Sequence, residues 1–472
     1  MQHDLTGLAL SSTRPGVSAA HDALLAAFLR NAIELPARVK ALFDADPDYG
    51  FAYTLRAGFT LMGFRRSDAP LIAELLGKAR TLQGAGNERE RAHLAAVEAF
   101  AAGDPLLAGR RWADICARWP SDLFAFRFHH FVSFWTGRPE AMLALAQQSL
   151  PHWRHEWPIY GALLACQAFA HEEAGLYLLA ENYGRRAVEL DAGDPWGAHA
   201  VAHVIEMQQR HHEGVQWLES LSGNWRDRNN LAHHLWWHLA LYVFELGDDG
   251  RVLELYDKGF RDPAAPLTQA TPDLYIDLQN AVSMLVRLEL QGVDVGARWH
   301  ELGEHAIARI GDCTNQFSVP HFVLALLATG RDAEAGAMVE AVRAFAEGGQ
   351  GPANGDGAAS AAVADAAQTG AARVGADQRQ SAREALLPIC EAILDRARGD
   401  LDRACDRFRA ALPGSFRLGG SHAQQDLFGL LAADCARRAD RQDLAALLST
   451  RLAGRYGWSL AGRRGYRSLA VA

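Results

Sequence analysis

The chain has 472 residues, 49% of them apolar, enough to bury a large core. Lys and Arg number 47 against 56 Asp and Glu, a formal net charge of −9 with no basic block, which argues against a nucleic-acid partner. The six cysteines (Cys116, Cys166, Cys313, Cys390, Cys405, Cys435) form no C-x-x-C pair, the N-terminus lacks a signal-like segment, and no apolar run approaches the roughly 18 residues of a membrane span; the expectation is a cytoplasmic protein with buried thiols and no membrane partner.

From the N-terminus onward, segments such as HDALLAAFLRNAIEL, ERAHLAAVEAFAAG, AENYGRRAVEL and DLAALLSTRLAG place apolar residues at three- and four-residue steps and end near Gly, Asp or Pro. Period-two alternation is scarce. The phrases ADPDYGFAYTL, RWPSDLFAFRF and AGDPWGAHAVA set Pro47, Pro120 and Pro195 at intervals of 73 and 75 residues, and Pro272 follows 77 later. Each interval is about two 34-residue helix-turn-helix units. The clearest unit begins at Trp157, turns at Gly175 and closes at Pro195. These features predict an all-α fold, a tetratricopeptide-like helical-repeat superhelix or α-solenoid, over residues 1–347. Residues 348–378 are Gly/Ala/Asp-rich and poor in large apolar groups, which predicts a flexible insertion or linker. Helical rhythm resumes over 379–472, read as C-terminal repeats and a cap.

Four segments carry residues suited to chemistry. FAFRFHHFVSFW holds His129 and His130; AHEEAG holds Glu172 and Glu173; DPWGAHAVAHVIEM holds His199, His203 and Glu206; NLAHHLWWHLALYVFEL holds His234, Trp237 and His238. In the third, H-x-x-x-H-x-x-E puts two imidazoles and a carboxylate on one side of a helix, and His234 and His238 repeat the spacing. Because the proline register puts these segments in the first helix of successive units, they are expected to share a concave groove.

Taken in order, ELDAGDPWGAHAVAHVIEM, NLAHHLWWHLALYVFELGD, DLYIDLQNAVSMLVRLELQGVDVGARW, FSVPHF and GGSHAQQDLF resemble the tetratricopeptide repeat protein 38 family over most of the chain outside 348–378. The resemblance implies an all-helical superhelix and carries no reaction or catalytic residue.

Three functional readings stand beside one another. In the first, the groove binds a small molecule or peptide through His129, His130, His199, His203, Glu206, His234, Trp237 and His238, with aromatic walls and a few polar anchors. In the second, His199, His203, Glu206 and His238 hold a divalent metal such as zinc, and Glu172 or Glu173 serves as base in a hydrolase. The zincin pattern is absent, since Ala200 stands where the glutamate would be. In the third, the array is a protein-interaction scaffold. Whether the chain is an enzyme stays open at this level. In GGSHAQQDLF, Ser421 reads as a helix N-cap rather than part of a phosphate loop.

Overall fold

The computed structural model describes residues 2–348 and 375–469, and most of the Gly/Ala-rich stretch therefore lies outside the described residues. Helices dominate. Among the described residues the named strands are two short pieces at the N-terminus, Gln2–His3 paired antiparallel with Ala9–Leu10. The molecule divides into two compact units: the first takes described residues 2–204, 221–231 and 375–376, the second 205–220, 232–348 and 377–469.

In the first unit, α1 (Val17–Leu29) pairs with α2 (Leu35–Ala45), α3 (Gly50–Leu61) with α4 (Ala69–Leu82), and α5 (Glu88–Ala101) with α6 (Pro105–Arg118). After them, α7 (Leu123–Trp135) pairs with α8 (Pro139–Ser149), and α9 (Tyr160–Glu173) with α10 (Tyr177–Leu190). Next comes α11 (Pro195–Met207), whose last residues belong to the second unit. The second unit continues with α12 (His211–Leu221), α13 (Leu231–Leu246), α14 (Asp249–Leu255), α15 (Pro266–Ala270), α16 (Tyr275–Glu289), α17 (Trp299–Ile307), α18 (Val319–Ala328) and α19 (Asp332–Glu347). It ends with α20 (Ala376–Ser381), α21 (Leu387–Arg398), α22 (Leu401–Ala411), α23 (His422–Arg438) and α24 (Gln442–Tyr456). Here α16 packs on α17, α18 on α19, α21 on α22 and α23 on α24, while α21 also packs on α18 and α23 on α16. These contacts gather the helices after the Gly/Ala-rich stretch into one unit with α13–α19, and the division of the chain falls near residue 204 instead.

Local signals explain the helix boundaries. Asp104, Asp122, Asp248 and Asp400 each cap a helix by accepting a backbone amide, and Asn87 and Ser421 form capping boxes with Glu90 and Gln424. Of the repeated prolines only Pro195 is the first residue of its helix; Pro47, Pro120 and Pro272 each stand three residues before the helix begins. Gly175 turns the chain between α9 and α10 with φ +76°, a conformation costly to any residue with a Cβ.

The first helix of a pair is buried nearly all round and the second on one face only. All of α7 but Phe134 is buried, as is α9 from Ala162 onward, whereas α10 buries only Ala180, Gly184, Ala187 and Val188. Residues 375–378, placed in the insertion by composition, belong to the ordered fold at least in part: Gln378 is buried, and its carbonyl and side-chain oxygens accept from Gln316 Nε2 at 2.6 and 2.8 Å.

Candidate functional site

The side chains expected to line an open groove are buried. His129, His130, His199, His203, Glu206, His234, Trp237 and His238 are each at most 5% exposed. Their separate environments decide what each can do.

On α7, Arg127 approaches His130 Nδ1 at 3.4 Å, and His130 Nε2 lies 3.2 Å from the Cys166 carbonyl. With the guanidinium donating to Nδ1, the proton sits on Nε2 and is given to that carbonyl, so both ring nitrogens are engaged. Burial and then the adjacent Arg127 charge push the His130 pKa well below the ordinary value. His129 packs beside Ser133 Oγ at 3.4 Å, and burial lowers it to about 4. This pair is neutral and built into the helix packing.

The neighbouring helices carry a different arrangement. His199 and His203, one turn apart on α11, meet edge to face with ring centroids 4.4 Å apart and Nε2 atoms 2.9 Å apart. Phe169 stacks on His199 and presents its edge to His203; Trp196 covers His199 at 4.9 Å. At the C-terminal end of α9, Glu172 brings Oε2 to 3.7 Å from His203 Nδ1. Single donor atoms of Glu172, Glu173 and His203 lie within 4.8 Å of one another, and all three residues are buried. Neither oxygen of Glu172 accepts a hydrogen bond from an amide, guanidinium or imidazole, although the residue is fully buried. Burial, and then the Glu173 carboxyl beside it, raise its pKa well above the ordinary range. Two carboxyls and an imidazole enclosed together need a proton or a cation between them. A tetrahedral cation with bonds of about 2.0–2.2 Å would draw its donors to roughly 3.4 Å apart, a closure within reach of side-chain rotation.

In the second unit, His234 Nδ1 lies 2.9 Å from Asn280 Oδ1, and burial lowers its pKa to about 4. Trp237 stacks on His234 at 5.0 Å and donates Nε1–H to Ser283 Oγ; His238 meets both rings edge-on. His233 is bonded to Asp277 at 3.0 Å. Glu206 is committed elsewhere than the expected metal set: its Oε1 accepts from Arg463 at 2.7 Å, and that charge overcomes burial to hold the carboxylate below its ordinary pKa.

The sequence candidates therefore divide between the two units. His199, His203, Glu172 and Glu173 come together in the first, where the two glutamates stand as donors beside the imidazoles. Arg463 is the partner that sequence reasoning missed, because nothing in GRRGYRSL marks which arginine turns inward. Asn280, in YIDLQNAV, was passed over likewise; a polar residue inside an apolar helical run was its one signal.

The chain is an all-α protein built of sequential helical pairs. No helix among its described residues is long and apolar enough to cross a membrane. No protein-family model matches it. Among solved structures it is similar to human IFIT1, determined as a dimer with m7Gppp-AAAA, with a TM-score of 0.41 and 12% identity over 100% of this chain and 98% of that one.

Proposed function

We propose that this protein is a helical-repeat binding protein of the tetratricopeptide repeat protein 38 kind, whose first unit holds a divalent transition metal on His203, Glu172 and Glu173, with His199 alongside. The observation that carries this reading is the convergence of three buried donors within 4.8 Å, one of them a fully buried carboxyl to which no amide, guanidinium or imidazole donates. Mixed imidazole and carboxylate donors suit zinc, and the metal would displace the proton that burial otherwise forces onto the carboxyl pair. His199 stands in van der Waals and hydrogen-bonding reach of His203 and orients it or joins it as a ligand. Metal binding precedes hydrolysis in this reading because the donors are at most 8% exposed, and a hydrolytic metal needs an open position for water.

Titration of zinc into tag-free, chelator-treated protein tests the reading. One tight equivalent is expected for the wild type, lost in His203→Ala and in Glu172→Gln but kept in His130→Ala. Absence of a tight site in the wild type, or its survival in the first two variants, overturns the proposal.

A further inference from the structure

The chain beyond α24 returns to the interior of the second unit. Gly457, with φ +67°, ends the helix, an irregular stretch follows, and a 3₁₀ turn spans Arg464–Leu469. Trp458, Arg463 and Tyr466 on this strap are each at most 2% exposed. We propose that Glu206, Glu245 and Asp426 form a guanidinium-binding cradle, filled in the resting protein by the chain's own Arg463, and that displacing the strap opens it to an arginine side chain of a partner polypeptide.

The geometry is that of an arginine site. Arg463 gives Nη1–H to Glu206 Oε1 at 2.7 Å and Nη2–H to Asp426 Oδ2 at 3.2 Å, and its Nε lies 3.4 Å from Glu245 Oε1. The Trp458 ring lies 4.2 Å from the guanidinium carbon. Three carboxylates spread around a planar fork, with an aromatic face against it, match guanidinium better than the point charge of an ammonium. The other charged or titratable groups at the cradle are Arg287, 3.9 Å from Asp426, His211, 3.8 Å from Glu206, and the Tyr466 phenol, 2.7 Å from Asp426 Oδ1. Three carboxylates against Arg463 and Arg287 leave one net negative charge when the cradle is filled, and two when the strap is out. Glu206 Oε2, fully buried, accepts no hydrogen bond even with Arg463 in place.

The strap is seated mainly by side chains, with one main-chain amide, that of Arg464, reaching the cradle; another polypeptide could supply both. Main-chain amides of Trp458, Gly462 and Tyr466 bond to Leu452, Ser459 and Arg463, within the strap or back to α24, and the Arg464 amide donates to Glu245 Oε2 at 3.0 Å. Its side-chain hold on the rest of the unit comes from Trp458 Nε1–H to the Met207 carbonyl, Arg464 forked on Asp249, and Tyr466 Oη–H to Asp426 Oδ1. Gly429, in the middle of α23, makes the room: a Cβ there would meet the Tyr466 hydroxyl far inside contact distance. A glycine inside a helix is unfavourable relative to alanine, so its presence at the strap's seat marks a fitted surface.

Two full-length variants test the proposal. In Arg463→Ala, methylguanidinium binds with one-to-one stoichiometry and raises the melting temperature, ethylammonium does so weakly, and wild type and the Arg463→Ala/Asp426→Asn double variant bind neither. Gly429→Ala keeps every charge and pushes Tyr466 from its seat. Tryptic cleavage within 457–469 is then expected to accelerate roughly ten- to a hundredfold, the shift an overpacking cost implies, and the tripeptide acetyl-Gly-Arg-Gly-amide gains binding. Equal response of Arg463→Ala to the two cations, or to neither, overturns the proposal, as does a Gly429→Ala strap that stays protected and binds no tripeptide.

Discussion

At the scale of single residues, similar histidines do opposite work because their neighbours differ. His130 has both nitrogens engaged by Arg127 and the Cys166 carbonyl, so His130→Ala should cost about 1–3 kcal/mol by stranding those partners, with zinc binding unchanged. Urea unfolding beside a zinc titration checks both halves. Glu172 carries a pH signature. Its folded pKa is raised by burial, so the folded state binds the proton more tightly than the unfolded chain does. Stability is then fully present below about 4.5, the unfolded value, and declines as pH rises toward the folded one. Unfolding of metal-free protein at pH 5 and pH 8 should show this loss, Glu172→Gln should flatten it, and zinc should reverse it. The side-chain types were legible in the sequence, and the i, i+4 spacing put His199 and His203 together. Which carboxylate each imidazole meets was not legible, since Glu206 is three residues from His203 and yet pairs with Arg463, 257 residues away.

At the scale of elements, periodicity and capping set the helices, and glycine sets how closely they approach. Gly184 on α10 faces Val201 and the Gly197 carbonyl on α11; a Cβ at Gly184 would lie 2.6 Å from Val201 Cγ2 and 3.2 Å from that oxygen. This crossing fixes α11, which carries His199 and His203, against the first unit. Gly184→Ala should therefore cost about 1–3 kcal/mol through overpacking, against the small gain from helix propensity. A lowered urea midpoint with unchanged slope is the expected result. The Ser421 cap was readable from its sequence, because a capping box is local. Proline positions gave the rhythm of the repeats but missed the helix starts by three residues at Pro47, Pro120 and Pro272, since a proline also serves in the turn before a helix.

At the scale of the whole molecule, the large apolar fraction predicted a substantial core, but it did not show that the first helix of a pair would be buried on every side. That burial encloses histidines meant for an open groove. His129 and His234 are lowered to about 4 and His321 to about 3 by burial, so each prefers its neutral form when folded. A depressed folded pKa contributes stability that is present above the unfolded value near 6.5 and lost as pH falls through the folded one. Each imidazole lowered to about 4 therefore costs roughly 3 kcal/mol at the acid end, and melting temperatures should fall steeply between pH 6.5 and pH 4, with the opposite sign to the Glu172 effect. An anomalous difference map at the zinc edge, from crystals of tag-free protein grown with zinc, shows whether the first unit holds the metal. A peak is expected about 2.0–2.2 Å from His203 and from carboxylate oxygens of Glu172 and Glu173; a map with no density among these three side chains would rule the site out.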